Sequence, residues 1–314
     1  MTAGHSPEKA PPAGRFFLSP RATGLLLALL GAIAFSGKAI LVKLSYRYGV
    51  DAVTLIMFRM LFALPIFAVM AWWAGRGHPP LSGRDWLAVI GLGFSGYYLA
   101  SFLDFVGLQY ISASLERLIV YLNPTMVLLL GWLLYRRPWT RAQLAGMAVS
   151  YAGVLLVFGQ ELRLEGSNVP LGALLVFLST ISYALYMVYS AQVVRRLGSL
   201  RLVGLATSVA CLLCMVQFVA LRPMSAALSV APEVIWLSLV NAVLGTAVPV
   251  LLVMMAIERV GAAATALAGM IGPLSTIFLG VWLLDEPFTS WLAAGTVLVI
   301  AGIFVFTRGK RAEE

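Results

Sequence analysis

The sequence predicts an all-α integral membrane protein, with ten transmembrane helices arranged as two inverted five-helix repeats. Three observations carry this prediction. The first is composition: 61% of the 314 residues are hydrophobic and only 11% are charged, which leaves too little polar surface for a soluble globule of this length. The second is a series of ten apolar runs, and the third is a stretch of sequence that occurs twice.

Each apolar run approaches or exceeds the ~20 residues that a helix needs to cross a ~30 Å hydrocarbon core. Because Arg21 precedes the first run and Ala32-Ile33-Ala34 resembles a cleavage site, that run could also be a signal peptide. Its length and the duplication favour a retained helix. The predicted spans are residues 22–44, 51–73, 84–108, 111–134, 140–158, 170–190, 199–221, 234–257, 261–284 and 288–307.

The duplicated stretch covers residues 122–140 and 271–289 and continues beyond them without a gap. A repeat of this length indicates a tandem duplication. The chain therefore divides into a tail (1–21), a first repeat (22–158), a second repeat (170–307) and a second tail (308–314). The matching positions are Pro124 and Pro273, Gly131 and Gly280, Pro138 and Pro287, Thr140 and Thr289, Gly146 and Gly295, and Gly153 and Gly302.

The charged pair that ends the fourth helix differs between the copies. It is Arg136-Arg137 in the first copy and Asp285-Glu286 in the second. Because basic residues stay on the cytoplasmic side, the same position of the repeat is predicted to lie on opposite faces of the membrane. An odd number of helices per copy produces this inversion.

The distribution of Lys and Arg sets the orientation. With the N-terminus inside, the inner segments contain fifteen of these residues, and the outer segments contain only Lys43, Arg47, Arg163 and Arg222. Both termini are therefore predicted to be cytoplasmic. The formal net charge of +9 lies in short loops rather than in one patch, so we interpret it as a topology signal and expect no nucleic-acid partner.

These features resemble the drug/metabolite transporter (DMT) superfamily, and within it the bacterial EamA type. The resemblance rests on the proline-bearing fourth helix, the charged pair with Pro and Thr that closes it, and the Gly-x6-Gly fifth helix. The first copy departs from the usual acidic pair by having Arg136-Arg137, which fits the inversion. The resemblance implies a secondary transporter of the bacterial inner membrane, with helices one to four of each copy around a central cavity and helices five and ten outside it.

Five ionisable residues lie within predicted spans, roughly 6 to 12 Å below the outer boundary. Such charges cost about 2.5 to 3.5 kcal/mol each on insertion scales, so they are expected to face the bundle interior and to find partners. Lys38 and Arg59 are predicted to bind solute. Asp104, Glu116 and Arg117 are predicted to act in coupling or as a charge network, and a purely structural network that pins the helices together remains an alternative.

Polar and aromatic side chains complete the predicted solute site. Tyr183 and Tyr186 belong to a polar stripe along the sixth helix, and Asn241 belongs to one along the eighth. Tyr98 and Tyr121 could add aromatic walls. For all of these, packing and helix-to-helix hydrogen bonds remain open alternatives to lining a cavity.

The five ionisable residues lie at similar depth and form one charged layer. This layer has three cations (Lys38, Arg59 and Arg117) and two carboxylates (Asp104 and Glu116), and an uncompensated cation in a low-dielectric cavity is costly. We therefore expect a small anionic or zwitterionic solute, such as an amino acid, exported by alternating access between the two halves. The other expected partners are the lipid bilayer and a homodimer partner. The spans contain no His and no paired acidic motif, so no catalytic residue, metal or cofactor is predicted. The alternative is a membrane enzyme or scaffold with a structural charge network.

The inverted topology predicts opposite accessibility for the two equivalent helix ends. In a background with Cys211→Ala and Cys214→Ala, Arg137→Cys should react with an impermeant thiol reagent only from the cytoplasmic side, and Glu286→Cys only from outside. Labelling of intact and inverted vesicles measures this. Reaction of both positions from the same side would mean that the copies are not inverted.

Overall fold

The structure, a computed structural model, describes residues 20–136, 140–165, 168–269 and 271–311. Within these ranges the chain forms helices and connecting turns and no strand. Eight helices are long and apolar enough to cross a membrane, and two shorter apolar helices cover Ile271–Leu284 and Ser290–Phe306. The all-α membrane prediction is confirmed to this extent. Most of the first predicted tail and the last three residues of the second, together with Arg137 and Pro138, lie outside the described residues.

We number the helices in chain order. A short helix, Met224–Leu228, precedes the eighth. The helices are α1 (Pro20–Tyr46), α2 (Ala52–Gly75), α3 (Gly83–Gly107), α4 (Ala113–Val120 and Asn123–Tyr135), α5 (Arg141–Glu165), α6 (Val169–Leu197), α7 (Ser199–Leu221), α8 (Pro232–Ala242, Val243–Ala247 and Val248–Gly269), α9 (Ile271–Leu284) and α10 (Ser290–Arg311).

Short polar residues fix where several helices begin. Asp51 accepts hydrogen bonds from the backbone N–H groups of Val53 and Thr54 at the start of α2. Ser82 and Asp85 form a reciprocal capping box at the start of α3. Such caps satisfy N–H groups that have no partner within the helix, which matters most near hydrocarbon.

The helices pack as two groups. Bundle one contains α1, α2, α8 and α9, and bundle two contains α3, α4, α6 and α7. The pair α2 and α7 joins the two bundles, and α5 packs along α10 beside them.

Contacts give the helix directions. Lys38 and Lys43 of α1 reach Asp104 and Leu108 of α3, so these helices run in the same direction. By contrast, Ser179 and then Ser182 of α6 donate to the carbonyls of Ala100 and then Ser95 of α3. Helix α6 therefore runs antiparallel to α3, and opposite in direction to α1.

Helix α8 was predicted to end near residue 257, but its helical geometry continues to Gly269. Gly31 and Gly24 of α1 lie against Val253 and Val260, which places α8 antiparallel to α1. Ser36 and Arg47 of α1 contact Gly272 and Leu284, which places α9 parallel to α1. The chain must therefore change direction between Val260 and Gly272, close to the predicted boundary.

Two local backbone features recur at equivalent positions of the repeat. The first is a π-helical segment, Gly93–Leu99 in α3 and Val243–Ala247 in α8; the repeat register places Gly96 on Gly245, inside these segments. The second is left-handed backbone at Arg136 (φ 55°) and Asp285 (φ 60°), the only non-glycine residues with positive φ in the described chain. Single π turns often mark functional positions in helices.

The four repeat glycines of α5 and α10 bring these helices into close contact. A Cβ at Gly153 would lie 2.6 Å from the carbonyl oxygen of Gly295, and one at Gly146 would meet the carbonyl oxygen of Gly302. These glycines therefore serve helix packing. Small residues at such a crossing let the two backbones approach.

This packing predicts different results from two Gly→Ala substitutions in α5. Gly153→Ala should lower the free energy of unfolding by about 1 to 3 kcal/mol, because its Cβ would meet backbone that cannot yield. Gly159→Ala is the matched control, since nothing lies within 4 Å of a Cβ there. Thermal unfolding of both variants in one detergent makes the comparison. Equal stabilities would contradict the packing.

Candidate functional site

The charged residues of α1, α3 and α4 meet at one ammonium group. Lys38 Nζ lies 2.6 Å from Asp104 Oδ2 and 3.6 Å from Glu116 Oε1. The Lys38 side chain is 20% exposed, whereas those of Asp104 and Glu116 are 3% and 0% exposed. Lys38, predicted as a solute contact, is thus also the counterion that both carboxyl groups share.

Glu116 is the most enclosed member of this group. Within the described part of the chain, neither of its carboxyl oxygens accepts a hydrogen bond, and the first piece of α4 is buried along most of its length. A carboxylate in such a place depends on its neighbouring cation, because no donor replaces the lost water. Lys38 is that cation in this structure.

Arg117 points from α4 into bundle one instead of pairing with a carboxylate. Its Nη2 donates to Ser36 Oγ at 3.3 Å, and its guanidinium lies 5.5 Å from the centre of the Tyr121 ring. Ser36 and Tyr121 in turn donate to the carbonyls of Gly272 and Gly269. Arg117, predicted as part of a charge network, therefore links α4 to α1 and α9 through neutral groups.

Arg59 occupies a separate place at the interface of α2, α3 and α8. It is 5% exposed, its Nε donates to Thr246 Oγ1 at 3.2 Å, and its guanidinium lies 5.0 Å from the centre of the Phe105 ring. Among the described residues, its Nη1 has no hydrogen-bond partner and no carboxylate lies within 4.0 Å. A buried guanidinium with an unused donor is suited to bind an anion.

The predicted tyrosines of α6 meet an aromatic residue of α3. The rings of Tyr183 and Tyr186 stack with centres 5.5 Å apart, and Tyr97 packs edge-on against Tyr186 at 5.0 Å. The hydroxyl groups of Tyr97 and Tyr186 are 3.2 Å apart. Tyr97 was not among the residues of the predicted solute site.

Tyr183 and Met187 are exposed on the inward side of α6. Leu171, Leu178 and Tyr189 mark the outward face of α6, and at ~100° per residue Tyr183 and Met187 lie on roughly the opposite side. Yet these two side chains are 38% and 42% exposed. Val176, on the same inward side nearer the start of α6, is fully buried. The inward side of α6 is therefore buried near the start of the helix and more exposed around residues 183 and 187.

The remaining predicted contacts are less directly connected. Asn241 is buried, its Nδ2 donates to the Lys38 carbonyl at 3.4 Å, and its Oδ1 has no partner within the described ranges. Tyr98 is partly exposed, with its ring 5.5 Å from that of Phe94. No contact joins Tyr98 to the charged residues in the part of the chain that the structure describes.

Sequence reasoning missed most of the polar contacts between the bundles at the outer end. Lys43 donates to the carbonyls of Leu108 and Ile111, and Tyr46 donates to that of Phe105. Glu286 accepts hydrogen bonds from the first turn of α4. The predicted topology already placed Lys43, Tyr46 and Glu286 at one membrane face, but nothing in the sequence identified their partners.

The comparisons with known proteins identify the class of protein. The EamA-like transporter family model matches residues 22–159 and again 170–308. The chain belongs to the EamA-like transporter family, within the drug/metabolite transporter superfamily. The double match covers both halves of the predicted duplication.

Similar proteins are described only as transporters. An uncharacterized transporter of Bacillus subtilis, YcbK, is 29% identical over 84% of this chain and 86% of its own length. One from Archaeoglobus fulgidus is 24% identical over 91% and 97%. A solved crystal structure matches with a TM-score of 0.62 over 94% of this chain and all of its own, at 19% identity, and shows the fold alone.

The shared ammonium predicts unequal effects of two substitutions on stability. Lys38→Met leaves two buried carboxyl groups without their cation and should lower the free energy of unfolding by about 2 kcal/mol or more. Glu116→Gln removes one of the charges and keeps the shape, so it should cost much less. Thermal unfolding in detergent measures both. Wild-type stability in Lys38→Met would contradict the role of Lys38 as counterion.

Proposed function

We propose that this protein is a secondary transporter that exports a small organic anion or zwitterion, such as an amino acid, across the bacterial inner membrane. Its ten helices form two inverted copies, and both termini lie in the cytoplasm. The solute binds between the bundles, which rock to expose it to either side. The single observation that carries the proposal is the buried guanidinium of Arg59 between the helices, which has an unused donor and no carboxylate within 4.0 Å among the described residues.

Inversion is supported by the opposite directions of α1 and α6, the first helices of the two copies. The π segments of α3 and α8 add a second line of support, because they occupy equivalent positions of the repeat and each packs within a different bundle. Lys38 lies against Gly245 in one segment, and Tyr186 lies against Gly96 in the other. Transporters built from inverted repeats bind solute at such a repeat interface, where helices depart from regular geometry.

The charges of the site support an anionic group on the solute. Lys38 is shared by Asp104 and Glu116, so these carboxyl groups leave Arg59 and Arg117 without an acidic partner in the described residues. Arg59 also has an unused donor. A carboxylate on the solute would give Arg59 an acidic partner and would accept a hydrogen bond from its unused donor. A planar guanidinium binds a carboxylate with two parallel hydrogen bonds.

The other predicted contacts fit a solute that lies between Arg59 and the tyrosines. Asn241 offers an unused amide oxygen, which suits an ammonium group of a zwitterion. Tyr98, Tyr121, Tyr183 and Tyr186 provide aromatic surface on both sides of the space. Lys38 contributes when the solute carboxylate competes with Asp104 and Glu116 for its ammonium group.

Asp104, Glu116 and Lys38 are proposed to couple solute movement to protons. Two carboxyl groups around one ammonium hold a proton more readily when that ammonium turns toward a solute. The groups that face Glu116 are Lys38 from α1, Asp104 from α3 and Arg117 from α4. Glu116 would then take up a proton when the Lys38 ammonium moves away from the two carboxyl groups toward the solute.

Flux in liposomes tests the proposal. Purified protein is screened with pooled labelled metabolites sorted by charge, and anionic and zwitterionic pools should be moved. Arg59→Lys should lower the flux of the transported compound about tenfold, because a single ammonium replaces a two-bond contact. Lys38→Arg should retain more flux than Lys38→Met. Glu116→Gln should keep flux down a solute gradient and lose the response to a pH gradient.

The matched control is Arg222→Lys, since Arg222 lies at the outer end of α7 and pairs with Asp51. It should leave flux unchanged. Transport of only cationic or neutral compounds, with Arg59→Lys indifferent, would overturn the anionic solute. Absence of flux for every pool, with Lys38→Met less stable than wild type, would favour a scaffold with a structural charge network.

A further inference from the structure

Two carboxylates hold the first turn of α4. Glu286, just after α9, accepts hydrogen bonds from Ala113 N at 2.7 Å, Ser114 N at 3.2 Å and Ser114 Oγ at 2.6 Å. Glu161 of α5 accepts from the backbone N–H and the hydroxyl of Ser112. A negative charge at a helix N-terminus is favoured both by the free N–H groups and by the helix dipole.

The backbone after α9 is shaped for the Glu286 contact. Asp285 adopts left-handed backbone, and the Glu286 N–H returns to the Gly280 carbonyl at 3.1 Å. A Cβ at Gly280 would lie 2.8 Å from Glu286 Oε2 and 3.4 Å from Ser114 Oγ. Glycine at this position lets the carboxylate fit between α9 and α4.

The sequence of the other half lacks the groups that a matching contact would need. The repeat register places Gly261-Ala262-Ala263 on Ser112-Ala113-Ser114, so both hydroxyl groups are missing from the second copy. It places Arg137 on Glu286 and Lys310 on Glu161. Arginine and lysine side chains have no hydrogen-bond acceptor, so they cannot bind the N–H groups of a helix start. At these two pairs of equivalent positions, acidic residues occur only at the end of the repeat that is predicted to face outward.

The Glu286 contact crosses between the two bundles. Glu286 follows α9 of bundle one, whereas Ala113 and Ser114 belong to α4 of bundle two. The two α4 residues that Glu286 holds are buried, whereas Tyr183 and Met187, nearer the other end of the interface, are partly exposed. Breaking this contact is therefore required before the outer halves of α4 and α9 can separate.

We propose that Glu286 and the first turn of α4 form a one-sided latch that keeps the outer end of the solute path closed. The latch biases the unloaded protein toward the conformation that is open to the cytoplasm, because the inner end has no acidic counterpart. The inference rests on the alternating access of the proposed function, but it does not depend on which solute is carried. Glu286 acts as a gating residue and not as a solute ligand.

Cysteine accessibility tests the latch without any solute. The reporter is Thr276→Cys in a background with Cys211→Ala and Cys214→Ala. Thr276 is fully buried and lies on α9 midway between Gly272 and Gly280, on the side that meets α4. An impermeant maleimide added from outside should label it slowly. Glu286→Gln should raise the labelling rate about tenfold, since hydrogen bonds to a charged group stabilise the closed end by roughly that factor or more.

Asp285→Asn is the matched control, because the Asp285 side chain is 90% exposed and contacts only Arg47 among the described residues. It should change the rate less than twofold. A second variant, Ser114→Ala, removes the hydroxyl group that donates to Glu286 and should also raise outside labelling, with Glu286 intact. Thermal unfolding and gel filtration confirm that each variant is folded.

The possible results separate clearly. Faster labelling in both Glu286→Gln and Ser114→Ala supports the latch. Equal rates in Glu286→Gln, Asp285→Asn and the parent would overturn it, even if flux of an anionic solute is observed. If Glu286→Gln does not fold, Glu286→Asp, whose shorter side chain reaches less well, replaces it, and an unchanged rate in that variant and in Ser114→Ala overturns the latch. If the labelling rates change as expected but no anionic or zwitterionic solute is transported, the latch stands and the proposed solute is discarded.

Discussion

The structure depends on how charges are accommodated in a region surrounded by hydrocarbon. Lys38 lies between Asp104 and Glu116, and its ammonium joins α1 of one bundle to α3 and α4 of the other. Removal of any one of these groups exposes the cost of burying the others. The same ammonium thus connects the two bundles. In the proposed function a solute anion would compete for it, and this competition would link binding to opening.

The two copies share a backbone design and differ in side-chain chemistry. The π segments, the left-handed helix ends and the packed glycines of α5 and α10 recur at equivalent positions. The charged layer and the acidic contacts to α4 occur only on the side of the first copy that is predicted to face outward. A duplicated backbone permits two symmetric conformations, and unequal side chains make one of them more stable. The closed outer end of this structure is consistent with that bias.

Particular residues show how far sequence reasoning reached. The charged layer was found because an ionisable residue in an apolar run is conspicuous, and Lys38, Asp104 and Glu116 do lie together. Their pairing was not predictable, because Arg59 and Arg117 were equally eligible partners by depth alone. The polar stripe of α6 was found by its spacing. In the structure Ser179 and Ser182 donate hydrogen bonds to carbonyls of α3, whereas Tyr183 is partly exposed. Spacing identifies a face of a helix and does not say what lies opposite.

The sequence by itself determined the membrane class, the duplication and the depth of the charged residues, because composition, repeat spacing and the rise of a helix are local properties. Only the tertiary structure decided that Lys38 is the counterion of two carboxyl groups and that Arg59 has no carboxylate within 4.0 Å among the described residues. It also decided that Glu286 accepts hydrogen bonds from the start of α4. These contacts join residues far apart in the chain, and each depends on a few ångströms of helix placement. In a medium without water, that placement decides which charge is satisfied by the protein and which remains available to a solute.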